Sequence, residues 1–476
     1  MKYLIKITLG LAFLLTSCAG HKVFNVQEYG AVGDGVTIDS YAIDKAIEAA
    51  AEFGGGVVLV PEGVYACHTI HLASNVDLMI DKGAVIKAAS HTVGTGYDAP
   101  EENPFNAYQD FGHSHWSNSL IYGIGLENIT ISGEGMIDGE LLSDGFTFVK
   151  KSTGIDCDFT LEDGAANKAI AFKECKNILL KDITISRGGH FALLATGVDG
   201  LVIDGITVDT NRDGLDIDCC KDVKIRNCII NSCFDDAIVL KTSYALGRYK
   251  PCENITISNC KISGYLVGSL LDGTKREFGE NRKSWHSGRI KLGTESSGDY
   301  RNIKAHNCSL EYCGGLHVES TDGALIENIS FSDITIDRCT DSPIFVMIGS
   351  RLRSPEGRQV GTIRGVEFKN ITSKDARADY GVIVTGYRNN KVYDITFDNV
   401  TLHSVGGMSC DNDKVVLEME KQYPDPKTFG KMPSSGIYLR HVDGAVLTDV
   451  NFSFTNQDSR PVIIKEDCVN IISNNQ

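Results

Sequence analysis

Proline and tryptophan are scarce in this chain of 476 residues, at 10 and 2. No stretch rich in Pro, Ser or Gly divides it, so nothing in the composition marks a linker between domains. Positive charge is short as well: 46 Lys and Arg face 62 Asp and Glu, for a formal charge of −16. That deficit argues against nucleic acid, which is held by basic patches. An anionic glycan would be repelled by the chain as a whole and would need local cations. After Leu15 no apolar run approaches the ~18 residues that a membrane-spanning helix needs. There is no CxxC and no clustered Cys/His spacing, so no metal and no other cofactor is expected. The GDG at Gly33 to Gly35 lacks the GxGxxG pattern that would suggest a dinucleotide.

Glycine, by contrast, is plentiful at 49, as expected of many tight turns between short strands. From Asn75 onward strand-like segments recur: NVDLMI, NITISGEGMIDG, NILLKDITI, GLVIDGITV, DVKIRNCII and NITISNCKI, continuing to AVLTDVNFSF. Most alternate apolar and polar residues, with Asn, Asp or Gly at the joins. A near-constant spacing of such units predicts an all-β fold, a parallel β-solenoid in which each turn lies ~4.8 Å from the next. Asn128 and Asn254, although in Asn-Ile-Thr, read as turn-into-strand units and not as glycosylation sites. Cys228, Cys260 and Cys308 each follow an Asn inside a strand-like segment, the pattern of small side chains stacking within a solenoid. Phe24 to Tyr65 reads as strand, Gly-rich turn, helix and strand. Asp39 is placed there as the helix cap, with an Ala42, Ile43, Ala46, Ile47, Ala50 stripe at helical spacing. A solenoid needs such a cover for its open end. Long insertions fall at Gly94 to Trp116, Lys150 to Lys168, Gly264 to Gly288 and Cys410 to Ser434, and loops on a rigid solenoid are where a cleft is walled.

The stretch Asn211 to Lys241 concentrates carboxylates. Asp213 and Asp235 lie 22 residues apart, nearly the repeat spacing, so the solenoid would bring Asp213 together with Asp235 and Asp236 on one face. Carboxylates so close repel, and one keeps its proton while another stays ionised, which suits a general acid and a general base. Asn211-Arg212-Asp213 resembles the Asn-Thr-Asp motif of glycoside hydrolase family 28, the polygalacturonase and rhamnogalacturonan hydrolase family. Asp235-Asp236 resembles its Gly-Asp-Asp motif. The chain departs from the pattern at Arg212, where the family has Thr, and at Phe234, where it has Gly. The resemblance implies a right-handed parallel β-helix, with residues 24 to 65 as the N-terminal cap shared by pectin-degrading members. It implies Asp235 as general acid, with Asp213 and Asp236 activating the water. In an inverting site of that kind the two carboxyl roles stand ~6.5–9.5 Å apart.

The same resemblance extends to Gly288–Ile303. Its alignment puts the family's His at Ser287, one place from His286. The family's substrate-binding Arg-Ile-Lys falls by position on His317-Val318-Glu319, while Arg289-Ile290-Lys291 spells the tripeptide one turn early. Arg289 and Lys291 either supply the displaced cations or form the rim. A Glu319 facing the leaving-side sugar would repel a galacturonate there and favour a neutral rhamnose, with His317 and Glu319 hydrogen-bonding its hydroxyls. Asn211, Arg212 and Lys241 are further substrate-binding candidates. His190, on the turn before the site, either lines the cleft or packs; Asp216 is an acid partner or a turn group, and Asp218 is read as structural. His113, His115 and Trp116 sit in an insertion where an aromatic could stack on a sugar.

Lys2 and Lys6 precede the short apolar run Ile7 to Leu15, which reads as the core of a signal peptide. Leu15-Thr16-Ser17-Cys18 is similar to a bacterial lipobox, implying cleavage after residue 17 and lipidation of Cys18. Residues 18–476 then form one monomeric catalytic domain, anchored to the outer membrane through lipid alone. The leading expectation is an inverting hydrolase of α-galacturonosyl linkages in pectic polysaccharide, rhamnogalacturonan-type or exo-acting on oligosaccharides. The competing readings are a lyase or epimerase on the same fold, and a non-catalytic glycan-binding β-helix.

Overall fold

A computed structural model describes residues 22–110, 112–144, 149–150, 159–278, 286–355, 357–409 and 415–474; the leader segment and Cys18 lie outside the described residues. The recurring segments are the strands of a parallel β-helix. One turn runs through Phe191–Thr196, Asp199–Asp204 and Thr207–Thr210, the next through Asp213–Asp218, Lys221–Arg226 and Ile229–Ser232, and each strand pairs in parallel with its counterpart. Because equivalent positions stack, inward side chains form continuous columns. Ile178, Leu201, Val223, Ile255, Ile303 and Ile329 follow one another in register, all of them buried.

The Asn residues at the joins are backbone devices. Asn128, Asn177, Asn254 and Asn302 adopt φ of 57, 55, 58 and 56°, a left-handed conformation that Asn tolerates better than most residues. Their amides also ladder: Asn177 Nδ2 donates to Asn128 Oδ1 at 3.1 Å, and Asn128 Nδ2 to Asn75 Oδ1 at 2.9 Å. The cysteines of the described residues are free thiols. Cys228, Cys260 and Cys308 are buried in one column, each thiol donating to the carbonyl two residues earlier, at 3.1, 3.3 and 3.3 Å.

An aromatic column shows what the stacking is worth. Phe368 is fully buried with its ring 5.2 Å from Phe331 and 5.3 Å from Phe397, nearly parallel to both. Removing a ring from such a site loses its burial and opens a cavity. Phe368→Ala is therefore expected to cost about 3–5 kcal/mol in urea unfolding.

At the N-terminal end the helix Ser40–Glu52 lays Ala42, Ile43, Ala46, Ile47 and Ala50 against the first turns, all buried. Asp39 stands at the N-cap position as expected, but its side chain makes no cap hydrogen bond to the helix. The Asp39 carboxylate accepts instead from Val32 N at 2.7 Å and Gly33 N at 3.0 Å, fastening the Gly-rich turn.

One sheet differs from the rest. Lys221–Arg226 alternates buried and exposed positions, as a sheet with one wet face should. The strands Asp213–Asp218, Ile238–Thr242, Ile290–Ser296 and Leu316–Ser320 are buried at every position. Apart from Val239, their outward side chains are mostly polar or charged and lie beneath the insertions, and this covered face holds the candidate site.

Candidate active site

The turns set the carboxylates by register. Thr207–Thr210 pairs with Ile229–Ser232 at an offset of 22, but Leu215 pairs with Ile238, an offset of 23. One extra residue lies between the two strands of the later turn. Carried back along the strand, the second register sets Asp213 opposite Asp236, and Gly214 N donates to Asp236 O at 2.9 Å. Asp235 lies in the stretch between those two strands, ahead of Ile238–Thr242, and is the most exposed of the three, with 19% of its side chain accessible against 3% for Asp213 and 2% for Asp236.

Each carboxylate has its own cation. Arg212 Nη2 lies 2.8 Å from Asp235 Oδ2. Lys241 Nζ lies 3.7 Å from Asp213 Oδ2, 2.7 Å from Asp216 Oδ2 and 3.9 Å from Glu295 Oε2. Arg289 Nε is 2.6 Å from Asp236 Oδ1, and Lys291 Nζ is 3.3 Å from Asp236 Oδ2. These pairings decide protonation. Burial raises Asp213 well above the usual carboxylate range, and the negative charge of Asp235 adds to this more than Lys241 relieves it. Burial acts on Asp236 in the same sense, but Arg289 and Lys291 outweigh it and hold that group below the usual range. Of the buried pair, then, Asp213 is the one pushed toward the protonated form and Asp236 the one its cations hold toward the ionised form.

An oxygen of Asp213, one of Asp235 and a ring nitrogen of His190 fall within 4.8 Å of one another. That is tighter than the ~6.5–9.5 Å expected between the carboxyl groups of an inverting site. The cations that balance the charges allow the crowding, and Arg212 holds Asp235 inward. His113, Asp213 and Asp216 form a second close trio. In both groupings a cation of the chain already stands on the carboxylates, Arg212 in the first and Lys241 in the second.

Several candidates take places other than those expected. Glu319 and His317 are fully buried. Glu319 accepts from Thr294 Oγ1 at 3.1 Å and pairs with Lys291 at 3.6 Å, while His317 lies between Glu319 and Asp341, 3.3 and 3.6 Å away. Neither offers its side chain to a sugar, because Lys291 lies against Glu319 and the insertion 415–434 covers the region. Arg289 and Lys291 are not a rim; they are buried and clamp Asp236. Lys241 is likewise a buried counter-ion and not a surface lysine. Trp116 is fully buried and is no sugar platform. Asp218 accepts from Ser243 N at 2.8 Å and Oγ at 2.6 Å, a structural tie. His286 Nε2 donates to Gly264 O at 2.6 Å, and burial lowers it to about 4. His190 faces the cluster: its Nε2 is 3.3 Å from Arg212 Nη2 and its ring stacks on Phe191 at 4.3 Å. Burial, with Arg212 next, holds it well below its ordinary value, so it accepts from Arg212 as a neutral ring. Asn211 Nδ2 donates to Asp144 Oδ2 at 3.2 Å.

Other residues reach the site from far along the chain. His113 brings Nε2 to 3.0 Å from Asp216 Oδ2 and also contacts Lys241 Nζ. Tyr423 places its hydroxyl 3.2 Å from Lys291 Nζ, and Asp425 lies 3.4 Å from Arg289 Nη1. Arg353 bridges Asp110 at 2.7 Å and Glu295 at 2.6 Å. Nothing in the local pattern around Tyr423, Asp425 or Arg353 marks these contacts; a loop rich in His near residue 113 is the one available hint.

Comparison with known proteins places this arrangement. Residues 23–239 match the family described as rhamnogalacturonase A/epimerase, pectate lyase-like. A probable polygalacturonase of Vitis vinifera is 22% identical over 83% of this chain and 76% of its own length. An exo-poly-alpha-D-galacturonosidase of Dickeya chrysanthemi is 23% identical over 94% of this chain and 73% of its own. Among solved structures, the family 28 exopolygalacturonase of Yersinia enterocolitica superposes with a TM-score of 0.69, at 16% identity, over 96% of this chain and 79% of that one. With a parallel β-helix that carries Asp213, Asp235 and Asp236 on one covered face, the chain is similar in sequence to polygalacturonases and shares the fold of a family 28 exopolygalacturonase.

Proposed function

We propose that the chain is an exo-acting hydrolase that removes galacturonate from the ends of pectic galacturonan oligosaccharides, with inversion at the anomeric carbon. The observation that carries the reading is the set of three aspartates, each on its own cation. In their proposed roles Asp235, the accessible one, protonates the leaving oxygen, while Asp213 and Asp236 receive the proton of the attacking water. Lys291 and Arg289 keep Asp236 ionised for that task. The carboxylate of a galacturonate would otherwise be repelled by three aspartates, so a cation that reaches the cleft is part of the requirement.

The exo mode is supported by what covers the aspartates. Insertion residues 94–116 and 351–358 meet over the sheet where Arg353 joins Asp110 to Glu295. Insertion residues 415–434 fold over the opposite side through Tyr423 and Asp425. A long polymer lying across the site needs open ends; a chain terminus fits between such covers. The Dickeya relative carries an exo-acting name. Glu319, buried against Lys291, lends no support to a rhamnogalacturonan preference, so galacturonan is the substrate proposed here.

The test is product analysis on homogalacturonan and on rhamnogalacturonan oligomers, with the anomer followed by NMR. Expected are saturated galacturonate as the early product, the β-anomer first, and little fall in viscosity. An unsaturated uronate absorbing in the ultraviolet would indicate a lyase and refute the reading. Rapid loss of viscosity would refute the exo mode, and absence of any cleavage would leave a glycan-binding protein.

A further inference from the structure

Four cations surround the three aspartates, and they are not equivalent. Lys241, Arg289 and Lys291 have 7%, 4% and 1% of their side chains accessible, and each is engaged by two or more carboxylates. Arg212 retains 20% of its side chain accessible and pairs with Asp235, itself 19% accessible. Of the four it is therefore the cation that a substrate carboxylate can reach. It also sits where it obstructs the chemistry. The Asp235 oxygen that Arg212 contacts at 2.8 Å is engaged as an acceptor, whereas a general acid must present a proton to the leaving group.

We propose that Arg212 is a specificity-determining and positioning residue, shared between Asp235 in the free enzyme and the carboxylate of the glycone-side galacturonate in the complex, so that substrate binding itself arms the general acid. The inference rests on the roles proposed above. When the galacturonate carboxylate draws Arg212 away, Asp235 loses its counter-charge beside Asp213, which holds the proton. An oxygen of each lies within 4.8 Å of the other, close enough for one water to bridge them at ordinary hydrogen-bond lengths. The proton passes from Asp213 to Asp235, with no change in total charge. Asp213 then stands ionised beside Lys241, ready to accept the proton of the attacking water, and Asp235 stands protonated under the leaving oxygen.

The cycle closes on itself. At the end of hydrolysis Asp235 has given its proton to the leaving oxygen, and Asp213 has taken one from the water. That is the free-enzyme arrangement, in which Arg212 pairs with Asp235 and the proton sits on the more buried Asp213. Each turnover therefore needs the proton returned to Asp235, and the arrival of the next carboxylate supplies the reason for its return. Asp213 Oδ1 is buried with no hydrogen-bond partner among the described residues, so a proton there is held by no bond that must first break. The other groups facing the pair are His190, which accepts from Arg212 as a neutral ring, and Asp216, Asp236 and Lys241, which are locked in their own ion pairs.

The experiment compares a galacturonate trimer with the same trimer methyl-esterified on its glycone-side carboxyls, in wild type, Arg212→Gln and Arg212→Lys. Wild type is expected to prefer the free acid by about 100-fold in kcat/KM, the scale of losing one partner of a desolvated charge pair. Arg212→Gln should fall on the acid and rise in kcat on the ester, because a neutral substrate no longer leaves a guanidinium on Asp235; the preference then shrinks to a few-fold. Arg212→Lys, which keeps the charge, should keep part of the preference, and it serves as the folded control should the Gln variant melt early. Equal losses on both substrates in the Gln variant, or an unchanged preference in both variants, would overturn the proposal. A wild type that cleaves neither substrate would refute the hydrolase reading itself, a different failure.

Discussion

Asp235→Asn is expected to reduce turnover of galacturonan oligomers by about 100-fold to 10,000-fold, the range for loss of a positioned general acid or base. At about 1.4 kcal/mol for each tenfold, this amounts to roughly 3 to 5 kcal/mol of transition-state stabilisation. Asn fills the same space but cannot give a proton to the leaving oxygen. Stability should change less than at the fully buried members of the cluster, since Asp235 is 19% accessible and its partner Arg212 also has His190 Nε2 at 3.3 Å. The loss should appear in kcat with KM nearly unchanged, because binding of the sugar does not need the proton. A substrate with a good leaving group, such as a nitrophenyl galacturonide, should recover much of the rate, as its departure needs no acid. A folded Asp235→Asn variant with near-normal activity on oligomers would remove Asp235 from the acid role. Loss on both leaving groups alike would instead place it with the water-activating groups.

What was legible in the sequence was what repeats. The β-helix follows from the spacing of strand-like segments, and the Asn joins from their identity, because each turn repeats the same local physics. The carboxylates too were visible as a cluster. Their exact arrangement was not, since it depends on one extra residue between Ser232 and Ile238 that changes the offset from 22 to 23 and sets Asp236, not Asp235, opposite Asp213. A one-residue shift changes which side chain faces the cleft, and a spacing count made at the joins does not register it. Long-range closure was the other hidden part. Glu319 reads from the sequence as a substrate-facing anion because its partner Lys291 belongs to the previous turn and its cover to residues about a hundred positions downstream. His113 reaches Asp216 from an insertion 103 residues earlier, and the His-rich loop that carries it does not by itself show which carboxylate it meets. Asp39 shows the same limit at small scale: a residue of the right type stands at the helix start, yet its carboxylate is spent on Val32 and Gly33.

The buried lysine at the centre of this closure carries the second large effect. Lys241 meets Asp213, Asp216 and Glu295 at 3.7, 2.7 and 3.9 Å, with its side chain 7% accessible. Lys241→Met retains most of the volume and leaves those carboxylates without their common cation. Breaking a buried pair in this way typically costs about 3–5 kcal/mol, because the remaining charge has neither water nor partner. Burial opposes the charge of Lys241, but Asp213, Asp216 and Glu295 outweigh it and raise the group well above its ordinary value. Its contribution is therefore complete below the unfolded value of ~10.4 and is lost only as pH rises through the folded one. Glu295 gives the opposite sign. Against its burial, Lys241, His113, Arg353 and Arg351 hold it well below its ordinary value, so the stability from its pairing is present above ~4.3 and fades as pH falls through the folded value. The difference between wild type and Lys241→Met in urea unfolding should thus be widest near pH 7 and should narrow toward pH 4, where protonation relieves the stranded carboxylates. Activity should fall with it, because Asp213 would face Asp216 and Glu295 with no cation to let it give up its proton. A stability gap that stays constant from pH 7 to pH 4 would mean that Lys241 acts by packing its stem and not by its charge.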